Sequence, residues 1–187
     1  MDHYGSIILA ASAALIAVHG VVMRRRQARR EGGGPGRPVR RISPSSLFVW
    51  FSALSAGLEW LFPSGGTLTP AAIWLAAGVA LAVVAECVMR AAARTLRRHA
   101  TTQDCDRVAD VLVADGLFRS TRNPIYLGMI LLFLAVAVAA GSLWALALLP
   151  GYFLSLHLLV VRPEEEALQQ RFGERYRHYA ARVPRYF

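Results

Sequence analysis

The sequence contains no lysine and only two cysteines, Cys87 and Cys105. Two thiols in this arrangement exclude a disulfide framework, and their spacing matches no metal site. Charge is also missing over long stretches: residues 5–23, 47–62, 71–89 and 125–161 hold almost no ionisable side chain. Apolar runs of that length match the hydrocarbon core of a bilayer and argue against a soluble globular domain. The last absence is of basic residues from 62–70 and 140–142. All 21 basic residues are arginines, and they fall within 24–41, 90–122 and 162–185.

The run 125–161 would span roughly 55 Å as one helix, against roughly 30 Å of hydrocarbon, so it must fold back. Gly141-Ser142 is the natural turn. The expected fold is therefore an all-α integral membrane protein of about five transmembrane helices, 5–23, 45–63, 70–89, 125–140 and 143–161. A C-terminal amphipathic helix, 163–183, is expected on the cytoplasmic side. Residues 24–44 are then a basic cytoplasmic linker and 90–124 a cytoplasmic loop. Because cytoplasmic segments collect arginine, the N-terminus is expected outside and the C-terminus inside, as in a bacterial inner membrane. Arginines follow the first apolar block instead of preceding it, so that block is expected to act as an anchor and not a cleaved signal peptide. The formal charge of +9 reports topology first and an attraction to anionic membrane lipid second. No nucleic acid partner is expected, since no arginine cluster is interleaved with a stacking platform.

Gly32-Gly33-Gly34-Pro35-Gly36 lies between arginine clusters with no strand before it and no helix directly after, so it reads as a flexible linker and not a phosphate loop. Pro163 followed by Glu164, Glu165 and Glu166 is a helix-start pattern. From there Glu164, Leu168, Phe172, Tyr176, Tyr179 and Val183 recur at steps of three and four, which lines them on one face. An interfacial helix resting on the membrane bundle would use such a stripe. Two carboxylates stand inside expected spans, where an ionisable group is costly unless paired or wet. Glu59, near the outer end, reads as structural; Glu86, one turn from the cytoplasmic end, reads as functional. His157 is expected to bond a neighbouring helix. Cys87 has no adjacent base to make it a nucleophile.

Two further constellations face the same side. One is the run 110–128, with Asp115-Gly116, Phe118 and Arg122-Asn123-Pro124-Ile125-Tyr126-Leu127-Gly128; the other is Glu164-Glu165, Phe172-Gly173, Tyr176, Tyr179 and Val183-Pro184-Arg185. Each alone has a plain structural account, as helix entry, interfacial aromatic or helix N-terminus. Together with Glu86-Cys87 at a span end and Leu112-Val113-x-x-Gly116, they resemble the isoprenylcysteine carboxyl methyltransferases and the related integral membrane phospholipid methyltransferases over about Glu86 to Arg185. Asn123 stands where those families usually have histidine, and Phe118 where they usually have tyrosine. The chain has no Gly-x-Gly-x-x-Gly turn, in keeping with a family that uses no soluble dinucleotide-type domain.

The resemblance implies an S-adenosylmethionine-dependent methyltransferase acting on a lipophilic acceptor that enters from the bilayer. It implies a cofactor pocket shaped by Val111, Leu112, Val113, Gly116, Phe118, Asn123, Pro124, Ile125 and Tyr126, with Glu164 and Glu165 accepting hydrogen bonds from the cofactor's ribose or amino group. Arg162 matches best the family's acceptor-positioning arginine, Arg122 is the second choice, and Glu86 would orient the clamp or the acceptor. A carboxylate acceptor needs such a guanidinium fork more than a base. An amine acceptor, as in a phospholipid headgroup, would instead need Glu86 to remove a proton. A non-catalytic membrane scaffold is the alternative outside enzymes.

Overall fold

The computed structural model describes residues 4–30, 42–64, 71–99 and 111–186; the glycine-rich linker, Cys105 and Asp110 lie outside the described residues. The described residues form helices and turns with no strand. The long elements are α1 (Tyr4–Arg30), α2 (Pro44–Leu61), α3 (Ala71–Arg98), α4 (Pro124–Ala140) and α5 (Leu143–Leu156). A π turn, His157–Val161, joins α5 to α6 (Arg162–Phe172), and α7 (Glu174–Arg182) follows.

Local chemistry explains most of these ends. Pro44 and Pro124 occupy first-turn positions, where the missing N–H costs nothing. The turn at 141–142 occurs as expected: Gly141 takes the left-handed conformation at φ 60°, and the Ser142 hydroxyl accepts from Ala145 N at 3.3 Å to cap α5. Beyond Met89 the run of Ala, Arg and Leu favours helix, so α3 continues to Arg98 past the end of its apolar block.

The expected start of a separate C-terminal helix at Pro163 is corrected by the structure. The chain from Leu143 to Phe172 is one continuous helical run. Arg162 N bonds to His157 O in the wider π spacing, which opens the ladder where a proline ring would meet the preceding carbonyls. The break comes ten residues later, at Gly173, with φ 54° and ψ −123°, a region closed to side-chain-bearing residues at low cost. What was expected as one helix over 163–183 is thus two.

Packing divides the long helices in two ways. Phe48 and Phe51 of α2, Phe133 of α4 and Tyr152 of α5 form an aromatic core, with Phe133 stacked on Tyr152 at 4.7 Å and Phe48 edge-on to Phe133 at 5.7 Å. α3 instead packs on α4 through small residues. A Cβ on Gly78 would lie 2.6 Å from Ala139 N and 2.7 Å from Ala135 O, so only glycine permits that approach. The outer face of α3 carries exposed Ile73, Val79, Val83 and Val84.

Two helical runs, Ala72–Arg98 and Leu143–Phe172, are long and apolar enough to cross a membrane. Their outward apolar faces suit a hydrocarbon solvent. At the end of the bundle away from the arginines, Glu59 is fully engaged. It accepts from Ser64 N at 2.9 Å, Ser64 Oγ at 2.8 Å and Ser142 Oγ at 2.6 Å, tying the end of α2 to the α4–α5 turn. Its carboxylate is satisfied by donors, which is how a bundle tolerates such a group.

Candidate active site

Three segments, two of them consecutive and the third some forty residues further on, meet at the arginine-rich end. The first is the stretch 111–119, extended and then a short 3-10 turn over Gly116–Arg119. Gly116, at φ 56°, turns it against α3, where a Cβ would meet Thr95 Oγ1 at 2.7 Å. The second is 121–126, which enters α4. The third comprises the first turn of α6, α7 and the tail 183–186.

The tail is strapped to the second segment. Arg122 N donates to Pro184 O at 2.9 Å, Thr121 Oγ1 to Arg185 O at 3.0 Å, and Asn123 Nδ2 to the same carbonyl at 3.3 Å. α7 is strapped to the first segment, since Tyr179 OH donates to Phe118 O at 2.7 Å. Its stripe of Tyr176, Tyr179 and Val183 clusters with Leu112, Leu168 and Phe172. The face expected to rest on the membrane bundle therefore packs against α6 and the 112 segment. α7 lids the site.

Between these segments lies a cavity of about 170 Å³. Its walls include Val111, Leu112, Val113, Phe118, Asn123, Pro124, Ile125, Tyr126, Glu164 and Glu165, ten of the eleven residues expected to hold a cofactor, and Arg122. Gly116 is not on the wall; it shapes the turn behind it. Glu86 and Arg162 stand outside the cavity. Glu86, 46% exposed, pairs with Arg90 one turn along α3 at 2.5 Å, and Arg162 is exposed at the start of α6. Pro44, Leu96, Leu168, Tyr176 and Tyr179 complete the lining. The last three belong to the apolar stripe, whose periodicity showed a shared face without showing what covered it.

The two glutamates differ. Glu165 is 7% exposed, and both its oxygens are engaged. Oε1 accepts from Asn123 Nδ2 at 3.0 Å and faces Arg122 Nε at 3.6 Å; Oε2 accepts from Arg185 Nε at 2.9 Å and Nη2 at 2.7 Å. It is a joint between α6, the α4 entry and the tail, and its bonds raise the Arg185 guanidinium above its usual range. Glu164, half-buried, accepts from Tyr126 OH at 2.6 Å.

Burial and the neighbouring Glu165 charge push the Tyr176 hydroxyl up to about 12, against the opposing influence of Arg122. Burial, with Tyr176 adding to it, raises Tyr179 as well. Both are neutral donors at physiological pH. Beside the cavity, His99 Nε2 and Asp115 Oδ1 lie 3.0 Å apart, and that hydrogen bond lowers the Asp115 carboxyl. Among the described residues no group of His, Cys, Asp and Glu could hold a metal ion.

The cavity thus brings apolar side chains together with two carboxylates, a guanidinium and hydroxyl groups. That donor set fits a ligand with a flat ring, hydroxyl or ammonium donors, and an anionic end. The family model described as phospholipid methyltransferase matches residues 73–175, just over half of the chain. The match covers every lining residue except Pro44, Tyr176 and Tyr179. No curated protein and no solved structure matches.

Proposed function

The chain belongs to the phospholipid methyltransferase family, and from that membership we propose that it transfers a methyl group from S-adenosylmethionine to a lipophilic acceptor at the cytoplasmic face of a membrane. The observation that supports this reading is the cavity at the arginine-rich end, which combines Val111–Val113 and Ile125 with Glu164 and Arg122. Five spans with the N-terminus outside would put that end in the cytoplasm, where the methyl donor is dissolved.

When bound, the cofactor supplies a methyl group on a sulfonium sulfur, ready for in-line displacement. The protein's part is to hold the reactants collinear and to exclude water, because positioning supplies most of the gain in such a transfer. Glu164, held by Tyr126, would accept hydrogen bonds from ribose or ammonium donors, while Val111–Val113 and Ile125 take the ring. Glu165 is already filled by Asn123 and Arg185, so its role is to fix the geometry of that wall.

We assign the acceptor clamp to Arg122 in preference to Arg162, since Arg122 lines the cavity and is only 14% exposed. The favoured acceptor is a carboxylate. It is ionised at neutral pH and needs no base, whereas Glu86, the base an amine would need, is engaged with Arg90 outside the cavity. The acceptor's lipid chain would reach the site sideways from the bilayer.

The test is methyl transfer by the detergent-purified protein, offered extracted lipids and a prenylated cysteine analogue, alongside thermal stability in S-adenosylhomocysteine. Label in a base-labile ester, with a ligand-dependent rise in melting temperature, is the expected result. Label in a phospholipid amine would replace the carboxylate acceptor by an amine headgroup. A folded protein with no thermal shift and no transfer would leave the scaffold reading.

A further inference from the structure

Arg122 and Tyr176 both line the cavity, and Arg122 Nε and Tyr176 OH are buried without a well-formed hydrogen bond; the Arg122 guanidinium approaches the Tyr176 hydroxyl oxygen and lowers its pKa, which leaves that O–H free to donate. The nearest carboxylate oxygen, Glu165 Oε1, is 3.6 Å from Arg122 Nε, an ion-pair distance too long for a hydrogen bond. Tyr176 is 3% exposed, so water does not readily compensate its hydroxyl. An orphaned buried donor costs roughly 1–3 kcal/mol, more for a charged group. Two of them on one cavity wall are tolerable when a ligand completes them.

The missing partner has a definite chemistry. Arg122 Nε–H can only donate, and the Tyr176 hydroxyl, held neutral, donates readily. Arg122 bears a positive charge, and Glu165 beside it is already compensated by Arg185 through two bonds to one oxygen. Two guanidiniums thus share Glu165, Arg122 only at ion-pair distance, while Glu164 on the same cavity accepts from Tyr126, so Arg122 is the group there that can take a further anion. We propose that Arg122 and Tyr176 form a carboxylate-binding subsite in the cavity, with Tyr176 supplying the hydroxyl donor.

A carboxylate can reach this corner from two sources: the amino-acid end of the methyl donor or the acceptor. Both sources rest on the function proposed above, whereas the subsite itself does not. Tyr176 lies one residue beyond the family match, on α7. The lid over the cavity thereby becomes part of ligand recognition.

The experiment uses the full chain in detergent, with Tyr176→Phe and Arg122→Lys beside the wild type. Melting temperature is followed in sodium acetate against sodium chloride at equal ionic strength, and binding of S-adenosylhomocysteine and of 5′-methylthioadenosine, which lacks the amino-acid end, is measured by calorimetry. Acetate is expected to stabilise the wild type beyond chloride and to lose that advantage in both variants. If the cofactor supplies the carboxylate, Tyr176→Phe weakens S-adenosylhomocysteine about tenfold, the worth of a hydrogen bond to a charged group, and leaves methylthioadenosine unchanged. If the acceptor supplies it, both nucleosides bind the variants normally while the acetate effect is gone. Acetate protection without any S-adenosylhomocysteine binding would keep the subsite and remove the methyl-donor reading. Equal acetate and nucleoside responses in all three proteins would overturn the proposal, as would parallel loss of both nucleosides with a lower ligand-free melting temperature. Arg122→Lys answers the same question should Tyr176→Phe fail to fold.

Discussion

Adjacent residues on a helix point about 100° apart, so two neighbouring glutamates cannot share one environment. Glu165 turns inward to Asn123 and Arg185, while Glu164 meets Tyr126. Breaking a buried ion pair by neutralising one partner leaves the other charge uncompensated and costs about 3 kcal/mol or more. Glu165→Gln is accordingly expected to lower unfolding stability by about that amount, with part discounted for the partial exposure of Arg185. Glu164→Ala should spare stability and weaken S-adenosylhomocysteine. Denaturation and calorimetry on the two variants separate these roles, and equal melting temperatures would contradict the assignment. Alkaline pH gives a second measurement at this scale. The folded Tyr176 hydroxyl titrates at about 12, above the usual value near 10. The unfolded chain therefore releases its proton first, so this contribution to stability is intact below pH 10 and is lost as pH rises towards 12. Melting temperature should fall over that interval, and fall less steeply in Tyr176→Phe.

Gly173 shows how one residue decides an element. Nothing lies within 4 Å of a Cβ placed there, so any cost of Gly173→Ala comes from its backbone angles alone. That cost is about 1–3 kcal/mol, and relief would straighten α6 into α7 and pull Tyr176 and Tyr179 from the cavity. The expected outcome is a lower melting temperature together with weaker S-adenosylhomocysteine binding; a variant melting like wild type would show that the bend is not strained for alanine. The bend is not legible in the sequence, despite the Phe172-Gly173 pair, because a stripe at steps of three and four continues through it unchanged. Pro163 misled in the opposite sense. Its rule describes a helix beginning, but a π turn upstream lets an existing helix accept the same residue. By contrast, Asn123-Pro124 and Gly141-Ser142 marked true ends, since each depends only on local backbone chemistry.

At the scale of the whole molecule, the cavity wall was largely legible because its residues cluster in two short runs, 111–126 and 164–165. What periodicity could not supply was the partner of each charge: Glu86 finds Arg90 on its own helix, and Arg162 is exposed and does not line the cavity that Arg122 lines. The arrangement of ends carries the final prediction. A Cβ on Gly5, at the start of α1, would lie 2.7 Å from Ala140 O at the end of α4. Glu59 near the end of α2 bonds Ser142, and Trp144 Nε1 bonds Phe62 O at 2.7 Å. The start of α1, the end of α2 and the α4–α5 turn therefore share one end of the bundle, and that end has no arginine. Pro44, Leu96, Tyr126 and Glu164 meet at the other, beside Arg90 to Arg98, Arg119 and Arg122. Arginine-rich ends are retained in the cytoplasm during insertion, so the expected topology places the start of α1 and the α2–α3 connection outside, with the cavity inside. Reporter fusions after Gly34 and after Gly66 should thus report opposite sides. Arginines introduced at Ser64 and Ser142 should weaken that bias, because they put positive charge at the end now free of it and remove donors to Glu59. Identical reporter signals at Gly34 and Gly66 would mean that α2 does not cross, and would put the cavity and its methyl donor on the wrong side of the membrane for the proposed reaction.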